Sequence, residues 1–564
     1  MKNTIRYIYI TFFTLLLFGV VSCELDEYNP SNATAEEVWN STPENFQTLV
    51  NSAYDKQRYW YNKEDGIFLA EMGTDLWFNR DKRLWAGEIT QYVNFHTNVG
   101  FVRNAWRELY IGVNQSNAGI NRIDNIDWPS DEERNSSLAE LRFMRAFYYW
   151  HIVEQWGGAI LRTQETQEAI QTSERSSVED FYELILSDLQ FAAEHLPIDQ
   201  GEQYSRADKK AAYGFLARAA LSRAYYGDEA TYFEMARDAA MEVINRKEEF
   251  GVELWENYGD LWDPENNKNN KEALYVISNS DNPSLNFDTR GNKLHQFFLS
   301  PYSGKPGLEQ SLEYGRDNGR QFMPTLALLD FYDEEIDERY YGSFKEAWIA
   351  NTEFTWDDED VEVYDKEPEI EGVTMTPGAD TALFITKKRI ANESERPYVV
   401  IDRDSVYNPD GTIKTGNDYV VLKKYMDPFR ESAGAEAGYL DIIVMRLAEM
   451  YLIAAEAEHQ LGNNAAAAEH INVLRTRAAA EGSVEEMQIS PSDVDINFIL
   501  DERARELAGE FLRWFDLKRT GRLEERIEEY NPDITEFQPY HALRPIPQGE
   551  IDQATNDLQQ NPGY

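Results

Sequence analysis

Two stretches of the sequence place aromatic rings beside short polar and charged side chains. The first is YWY at 59–61 followed by EMGTDLWFNRDKRLW at 71–85. The second is LHQFFLSPYSGKPGLEQSLEYGRDNGRQ at 294–321, which is rich in turn-forming residues. An exposed Trp or Tyr stacks on the apolar C–H face of a sugar ring, while Asp, Asn and Arg hydrogen-bond the hydroxyls around its rim. These residue types therefore favour the capture of a polyhydroxylated ligand.

Nine side chains in these stretches are the predicted ligand-binding residues: Trp60, Asp75, Trp77, Arg80, Asp81, Trp85, Tyr302, Tyr314 and Arg316. Each has a structural alternative. Trp is highly buried on average, so the tryptophans also suit a core position. Asp75 and Arg80 also suit an ion pair, and the second stretch also suits an ordinary mobile loop. Trp348 and Trp356 are weaker candidates for the same role.

Common catalytic and cofactor motifs are absent from the sequence. It contains no P-loop, dinucleotide fingerprint, G-x-S-x-G or H-E-x-x-H, and its seven His residues are scattered. His459 and His470 are too far apart for a typical zinc pair, and DRDSVYNPDG at 402–411 lacks calcium-loop spacing. We expect no catalytic residues, no cofactor and no metal ligands. A glycoside hydrolase needs only two suitably placed carboxylates, so that alternative stays open, as does a surface calcium.

Charge narrows the choice of partners. The chain has 101 Asp and Glu against 54 Lys and Arg, a net charge of −47. A surface this acidic repels phosphate backbones, so we expect no nucleic acid partner. It also favours neutral oligosaccharides, or those with basic groups, over polyanionic ones, unless a local Arg80 or Arg316 overrides the net charge.

The N-terminus predicts where the protein is located. A short basic start precedes an apolar run from Tyr7 to Val21, which is too short to span a bilayer and is typical of a signal peptide. Cys23, the only cysteine, follows directly and resembles the lipidated cysteine of a bacterial lipobox. We expect a lipoprotein signal peptide at 1–22 and a lipidated tether at 23–40 that anchors an extracytoplasmic protein. The alternative is a plain signal peptide with an accidental cysteine.

The elements that must position the candidate residues are mainly helices. Residues 41–250 read as helices joined by short polar turns, the pattern of antiparallel helical pairs. Ser137-x-x-Glu140 and Ser176-x-x-Glu179 predict capping boxes, and Gly157 predicts a helix stop.

The remaining chain divides into an irregular part and a second helical part. Residues 251–440 are irregular, with short β-like runs at 273–278, 382–388, 398–403 and 419–425. Helix returns at 441–480 and 497–528, and the helical part extends over 441–564 with its tail. No unit carries a clean repeat consensus, so the pattern alone leaves tetratricopeptide-like (TPR-like) repeats open.

Five segments, in order along the chain, resemble the SusD/RagB family of outer-membrane nutrient-binding lipoproteins. They are RFMRAFYYWHIVEQWGGAILRT (142–163), SRADKKAAYGFLARAALSRAYY (205–226), DIIVMRLAEMYLIAAEAEHQLGNNAAAAEHINVLRTRA (441–478), DERARELAGEFLRWFDLKRTGRL (501–523) and IPQGEIDQATNDLQQNPGY (546–564). AEMGTDLWFNRD at 70–81 and the lipobox at Cys23 are similar to the family as well.

The resemblance implies a mostly α fold, in which a TPR-like helical-pair scaffold carries an irregular α/β ligand-binding region. It implies a surface lipoprotein of the outer membrane that captures an oligosaccharide, or in some members a peptide, and delivers it to a SusC-like TonB-dependent transporter. Family members bind without cleaving, so we expect no enzyme. A pure scaffold for other surface proteins is a further alternative. Asp441, Arg446, Arg475 and Arg477 are expected to be structural charges.

Overall fold

The computed structural model describes residues 39, 42–80, 86–168, 172–282, 285–286, 291–319 and 321–564. Cys23 and the predicted signal peptide lie outside the described residues, as do two predicted ligand-binding residues, Asp81 and Trp85. What we predicted for these four features therefore stays a prediction.

The fold is mostly α, as predicted. The helices up to the irregular region are α1 (Pro43–Asp55), α2 (Gln57–Asn62), α3 (Glu64–Glu71), α4 (Gly100–Arg122), α5 (Asp131–Trp156), α6 (Val178–His195), α7 (Lys209–Ala224) and α8 (Glu229–Asn245). The irregular region contains α9 (Tyr258–Leu261), α10 (Leu294–Phe297), α11 (Leu326–Asp330), α12 (Arg339–Ser343), α13 (Asp358–Val363) and α14 (Arg403–Val406). The C-terminal helices are α15 (Leu447–Gln460), α16 (Asn464–Ala478), α17 (Val484–Met487), α18 (Ile496–Leu507), α19 (Arg513–Arg519), α20 (Leu523–Tyr530) and α21 (Gln548–Gln553).

The long helices form one continuous series of packed pairs. Helices α4 to α8 each pack against the next, α8 then packs against α15, and α15 packs against α16 and α18. The series therefore runs from the N-terminal to the C-terminal helical part without including the irregular region between them. The predicted part boundaries at residues 250 and 440 stay predictions.

Helix starts differ slightly from the predicted ones. Helix α5 begins at Asp131, because Ser130 caps it by accepting the Glu133 backbone N–H at 3.2 Å, so Ser137 lies inside the helix. Helix α6 has its capping box at Ser177 and Asp180, one residue after the predicted pair. Gly157 ends α5 with a φ of +70°, as predicted.

The strands are short and pair over long sequence distances. Four pairs of strands are antiparallel: β1 (Trp77–Asn79) with β3 (Phe322–Pro324), β2 (Ala273–Ile277) with β11 (Ile442–Arg446), β4 (Phe344–Lys345) with β10 (Val421–Leu422), and β6 (Phe354–Thr355) with β7 (Thr374–Met375). A three-stranded sheet has β8 (Thr381–Ile385) between antiparallel β5 (Ala347–Ile349) and parallel β9 (Val399–Ile401).

The helix predicted at 441–480 is therefore wrong over 442–446, where the chain is a strand. Ile442 pairs with Ile277, and the β-branched run of β11 suits a buried strand against β2.

Buried ion pairs hold the irregular region against α18. Glu506 on this helix accepts from Arg446 at 2.7 Å and from Arg339 at 3.1 Å. Glu510, just beyond the helix, pairs with Arg446 at 2.8 Å. All four side chains are buried, so each charge depends on its partners for the solvation that it has lost. Arg475 pairs with Glu502, and Arg477 pairs with Glu272. These two residues and Arg446 are therefore structural charges, as expected.

We expect Arg446→Met to lower the free energy of unfolding by about 3–5 kcal/mol, because it removes the cation that bridges three buried carboxylates, Glu272, Glu506 and Glu510. Urea titration followed by circular dichroism measures the change. Arg522→Met is the matched control, since Arg522 forms a surface pair with Glu525, and it should cost no more than about 1 kcal/mol. Equal effects of the two substitutions would contradict this role for the buried network.

Candidate functional site

Arg80 joins two segments that are far apart in the sequence. It follows β1, and its backbone N–H donates to the Gln321 carbonyl at 2.9 Å. Its guanidinium donates to the Gly416 carbonyl and, at 3.1 Å, to the Asn417 side-chain oxygen. A Cβ at Gly416 would lie 2.8 Å from the Arg80 carbonyl oxygen, so the two backbones touch only because this residue is glycine. The segment at 416–418 is thereby fixed beside β1.

A cavity of about 740 Å³ opens next to this segment, within the range of roughly 300–1,000 Å³ that is usual for ligand sites. We call it the loop cavity. Its lining comes from the irregular region: Lys305, Val363, Tyr364, Asp365, Lys366, Ile390, Asn392, Glu393, Ser394, Val399, Val400, Ile401 and Asp418. The loop that follows Tyr302 and the segment held by Arg80 thus meet at one site.

Charged and aromatic groups are mixed in the loop cavity. The Lys305 ammonium pairs with Asp418 at 2.6 Å, and Lys366 donates to the Glu393 carbonyl at 2.8 Å. The half-buried ring of Tyr364 packs edge-on against Trp356, with centroids 5.7 Å apart. Exposed Asn392 adds an amide and lies at a φ of +59°. One ring surrounded by hydrogen-bonding groups of both kinds suits a ligand with hydroxyls around an apolar face.

The Tyr364 hydroxyl stays protonated at neutral pH. Burial raises its pKa above the ordinary value, and the negative charges of Asp360 and Asp418 raise it further. The hydroxyl therefore remains both a hydrogen-bond donor and an acceptor, which is the form that can bind another hydroxyl.

Trp60 and Trp77 are buried and present no face to a ligand in this structure. Trp60 packs edge-on against His151 with centroids 4.9 Å apart, and the Trp77 indole donates to Glu71 at 3.0 Å. Trp60 also packs against Phe515, and Trp77 packs against Phe298 and Phe322. Both rings therefore have core positions, which is the alternative considered for them above.

Asp75 is equally buried and lies in an ion pair. Its carboxylate accepts from Arg513 at 2.8 Å and from Arg526 at 3.1 Å. Burial alone would raise the pKa of Asp75, but the two guanidiniums outweigh it and hold the pKa below the ordinary value. The side chain thus ties the N-terminal segment to α19 and α20.

Tyr302 and Tyr314 form a buried cluster with Trp348. The rings of Tyr302 and Trp348 stack at 4.7 Å, and Tyr314 meets Trp348 edge-on at 5.1 Å. The Tyr302 hydroxyl donates to the Gly315 carbonyl at 2.6 Å, so the cluster holds its own loop in place. Trp356 is also buried and donates to the Pro397 carbonyl at 3.1 Å. These rings support the cavity wall and do not line the cavity.

Arg316 is partly exposed and does not reach the loop cavity. Its guanidinium pairs with Glu436 at 3.2 Å and also donates to the Gln296 side chain. Among the predicted ligand-binding residues that the structure describes, Arg80 is therefore the one that borders the loop cavity. It does so through the segment at 416–418, which it holds in place.

Tyr364, Lys305, Asn392 and Asp418 line the cavity but are missing from the predicted set. The acidic run DDEDVEVYDKEPEIEG at 357–372 reads as a solvated loop, and most of it is exposed. The one signal within it is a single Tyr two residues before the only Lys of the run. A lone ring in a charged run has little reason to be there unless it packs or binds.

The described residues hold no group of three or more His, Cys, Asp and Glu side chains that is arranged to bind a metal ion. The side chains that line the loop cavity are suited to hydrogen bonding and stacking with a ligand.

Two family profiles match the chain. One, for the SusD family, matches residues 288–564, and the other, described as starch-binding and associating with the outer membrane, matches residues 25–221. The chain is 28% identical to SusD-like protein P2 of Formosa agariphila, over 98% of this chain and 99% of that one. It is 24% identical to the starch-binding protein SusD of Bacteroides thetaiotaomicron, over 86% and 83% of the two chains.

Solved structures have the same fold. A laminarin-binding SusD-like protein superposes with a TM-score of 0.68 at 20% identity, covering 93% of this chain and all of that one. Surface glycan-binding protein A of Bacteroides thetaiotaomicron, solved with laminarihexaose, gives a TM-score of 0.66 at 19% identity, covering 92% and 99%. The similarity extends over nearly the whole chain and shows a common overall fold.

We expect Asp75→Asn to lower the free energy of unfolding by about 3–5 kcal/mol at neutral pH, since it leaves two buried guanidiniums without their carboxylate. The pKa of Asp75 is lowered in the folded state, so its contribution is fully present above the unfolded pKa of about 3.9. It declines progressively as the pH falls from there through the lower folded pKa. Urea titrations at pH 7 and pH 3 should thus show a smaller difference at the lower pH. Exposed Asp410→Asn is the control, and a stable Asp75→Asn variant would argue against the structural role.

Proposed function

The chain belongs to the SusD/RagB family, and on that premise we propose that it is a glycan-binding protein that holds an oligosaccharide in the loop cavity. The observation that carries the proposal is the composition of that cavity. The half-buried Tyr364 ring lies in one lining with the Lys305–Asp418 pair and the exposed Asn392 amide. A ring face for C–H groups beside donors and acceptors for hydroxyls is the recognition chemistry of a sugar.

The related proteins support the choice of ligand. The names of two of them state binding of starch and of laminarin, and a third is solved with laminarihexaose. These are neutral polysaccharides or oligosaccharides, so a neutral glucan is the first ligand class to test.

We propose binding without cleavage. Asp418, a carboxylate of the cavity, is engaged by Lys305, and capture needs complementarity to the ground state only. A glycoside hydrolase with two carboxylates across the bond remains the alternative, as does a peptide-binding member of the same family. Calorimetry of the mature protein with oligosaccharides and with peptides, together with chromatographic product analysis of each mixture, distinguishes glycan capture, peptide capture and hydrolysis. Saturable binding of a glycan without products supports capture, and cleavage products would replace it with hydrolysis.

We expect Tyr364→Ala to weaken glycan binding by about tenfold or more, because loss of the ring removes a stacking contact of about 1–1.5 kcal/mol and one hydroxyl. Tyr364→Phe should retain most of the affinity, since the ring remains. Isothermal titration calorimetry measures both, and thermal unfolding checks that each variant is folded.

Tyr232→Ala is the matched control for this pair, because Tyr232 is similarly half-buried but lies on α8 of the helical scaffold. It should bind as the unmodified protein does. Unchanged affinity in folded Tyr364→Ala would exclude the loop cavity as the glycan site.

We further propose that Cys23 carries a lipid that anchors the protein to the outer membrane, facing outward, where it delivers its ligand to a SusC-like TonB-dependent transporter. The lipobox-like sequence and the matched profile for proteins associating with the outer membrane support this. In the part of the chain that the structure describes, no helix is both long and apolar enough to cross a bilayer.

We expect the tagged native protein to fractionate with outer membranes and, after mild detergent extraction, to co-purify with a transporter identified by mass spectrometry. Cys23→Ser removes the thioether site for the lipid, so this variant should leave the membrane fraction while keeping its glycan affinity. A Cys23→Ser protein that stays in the membrane fraction would contradict lipid anchoring. Native protein purified without any transporter would contradict the partnership.

A further inference from the structure

A second cavity, of about 380 Å³, opens along helix α4, within the range of roughly 300–1,000 Å³ that is usual for ligand sites. We call it the α4 cavity. Its walls are α4 itself, the segment at 160–166 that follows α5, and Glu550 on α21. The α4 cavity and the loop cavity have no lining residue in common.

Side chains of α4 hold the opposite wall in place. The Tyr110 hydroxyl accepts from the Ile160 N–H at 3.0 Å and donates to the Ile160 carbonyl at 2.8 Å. The Asn114 side-chain oxygen accepts from the Thr166 N–H at 2.7 Å. Tyr110 and Asn114 are four residues apart, so they lie on the same face of the helix. The cavity therefore lies between two walls whose separation these hydrogen bonds fix.

Aromatic and aliphatic groups give the α4 cavity an apolar surface. The half-buried ring of Tyr110 packs against the ring of Trp106, with centroids 4.7 Å apart. The Tyr110 hydroxyl is engaged by Ile160 both as donor and as acceptor, so this side chain offers a ligand its ring. Ile111 adds an exposed aliphatic side chain to the same lining.

Two opposite charges line the α4 cavity without pairing. Arg162 is half-buried, and within the described part of the chain its guanidinium makes one hydrogen bond, to the Ser173 hydroxyl at 3.4 Å. Glu550 is half-buried too and lies beyond ion-pair distance of Arg162. Burial raises the pKa of Glu550, while the Arg162 charge and a hydrogen bond from the Trp106 side chain oppose the shift. The two charges thus attract each other but leave hydrogen-bonding capacity for a ligand.

Uncharged polar groups complete the lining. The amide nitrogen of Asn114 and the hydroxyl of Thr166 have no hydrogen-bond partner among the residues that the structure describes. Asn114 can therefore donate to a ligand, and Thr166 can both donate and accept.

The backbone of the wall opposite α4 is already occupied. Tyr110 takes both backbone groups of Ile160, as described above. The Arg162 N–H donates to the Tyr149 hydroxyl at 2.8 Å, and its carbonyl accepts from Asn117 at 2.9 Å. An extended peptide that adds to a strand edge needs free backbone groups. These residues do not offer them, so recognition in the α4 cavity depends on side chains.

The polar side chains decide which ligand the α4 cavity suits. An apolar ligand would remove water from Arg162 and Glu550 without replacing its hydrogen bonds, which costs free energy. A charged ligand would be attracted by one of these side chains and repelled by the other. A hydroxyl group both donates and accepts, so it can bond to either of them.

We propose that the α4 cavity is a second glycan site, which binds a neutral saccharide. One sugar ring lies against Tyr110 and Ile111, and its hydroxyls bond to Arg162, Glu550 and Asn114. The site goes beyond the function proposed for the loop cavity and does not depend on it, because the two cavities are built from different residues.

The test isolates the α4 cavity in the Tyr364→Ala variant, in which the loop cavity is weakened. Calorimetry titrates the mature variant with neutral glucan, mannan and galactan trisaccharides and with a neutral tripeptide blocked at both ends. We expect a trisaccharide to bind and the tripeptide not to bind. Adding Arg162→Met should lower the saccharide affinity at least about tenfold, because charge-assisted hydrogen bonds are lost. Adding Glu550→Gln, which keeps the side-chain size but removes the charge, should lower it about threefold or more.

Arg237→Met is the matched control, because Arg237 is also half-buried but lies on α8, outside both cavities. It should leave saccharide binding unchanged, and thermal unfolding checks that every variant is folded.

Each outcome separates the two glycan sites. If the native protein binds a trisaccharide and Tyr364→Ala does not, the α4 proposal is overturned and the loop cavity remains the glycan site. Binding that folded Arg162→Met and Glu550→Gln leave unchanged overturns it as well, as does binding of the tripeptide in place of a saccharide. Binding that Arg162→Met removes from the otherwise native protein, and that Tyr364→Ala leaves unchanged, supports the α4 cavity and contradicts the loop cavity. Native protein that binds none of the saccharides contradicts both.

Discussion

Arginines from distant parts of the chain neutralise the buried carboxylates of α18 and of the segment after it. The rest of the structure depends on this interaction. Glu502 and Glu506 are fully buried, and Glu510 nearly so. Their cations come from α12, from the end of β11 and from α16, through Arg339, Arg446 and Arg475. A buried charge without its partner costs several kcal/mol, so this arrangement forms as a whole or not at all. It joins the irregular region to the helical scaffold, and the bidentate contact between Arg446 and Glu510 fixes the relative orientation of the two groups.

The helical scaffold could be predicted because its signals are local. The helices of 41–250 carry caps, stops and polar turns within a few residues of their ends, and ordered segments such as 142–163 and 205–226 resemble a known family. Errors occurred where two local signals compete. Ser130 and Ser137 both precede a Glu by three residues, and only the packing of α5 shows that the earlier one caps it. DIIVMR reads as helix until β2 provides a strand to pair with.

The loop cavity could not be predicted in the same way, because long-range contacts build it. Arg80 meets residue 416 across 336 positions of sequence, and no pattern around either residue indicates the other. In the sequence, an aromatic residue among polar residues looks the same whether the folded chain buries its ring or leaves it exposed. Trp60 and Trp77 are covered by residues that come later in the chain, while Tyr364 remains half-exposed within an acidic run. Burial is a property of the assembled chain, so which ring stays accessible can be identified only in the folded structure.

The contact between Arg80 and Gly416 has a consequence for how such proteins diversify. A side chain at 416 would collide with the Arg80 backbone, so this glycine fixes one end of the cavity wall to the scaffold. The wall residues Asn392 and Ser394 lie at the start of a one-turn 3-10 helix, Glu393–Glu395, and line the cavity. The exposed wall residues can therefore change while the attachment point at Gly416 stays constant. For engineering, the exposed turn around Asn392 is the part of this wall that is open to exchange, because β9 pairs with β8, Tyr407 is buried, and Gly416 must be kept.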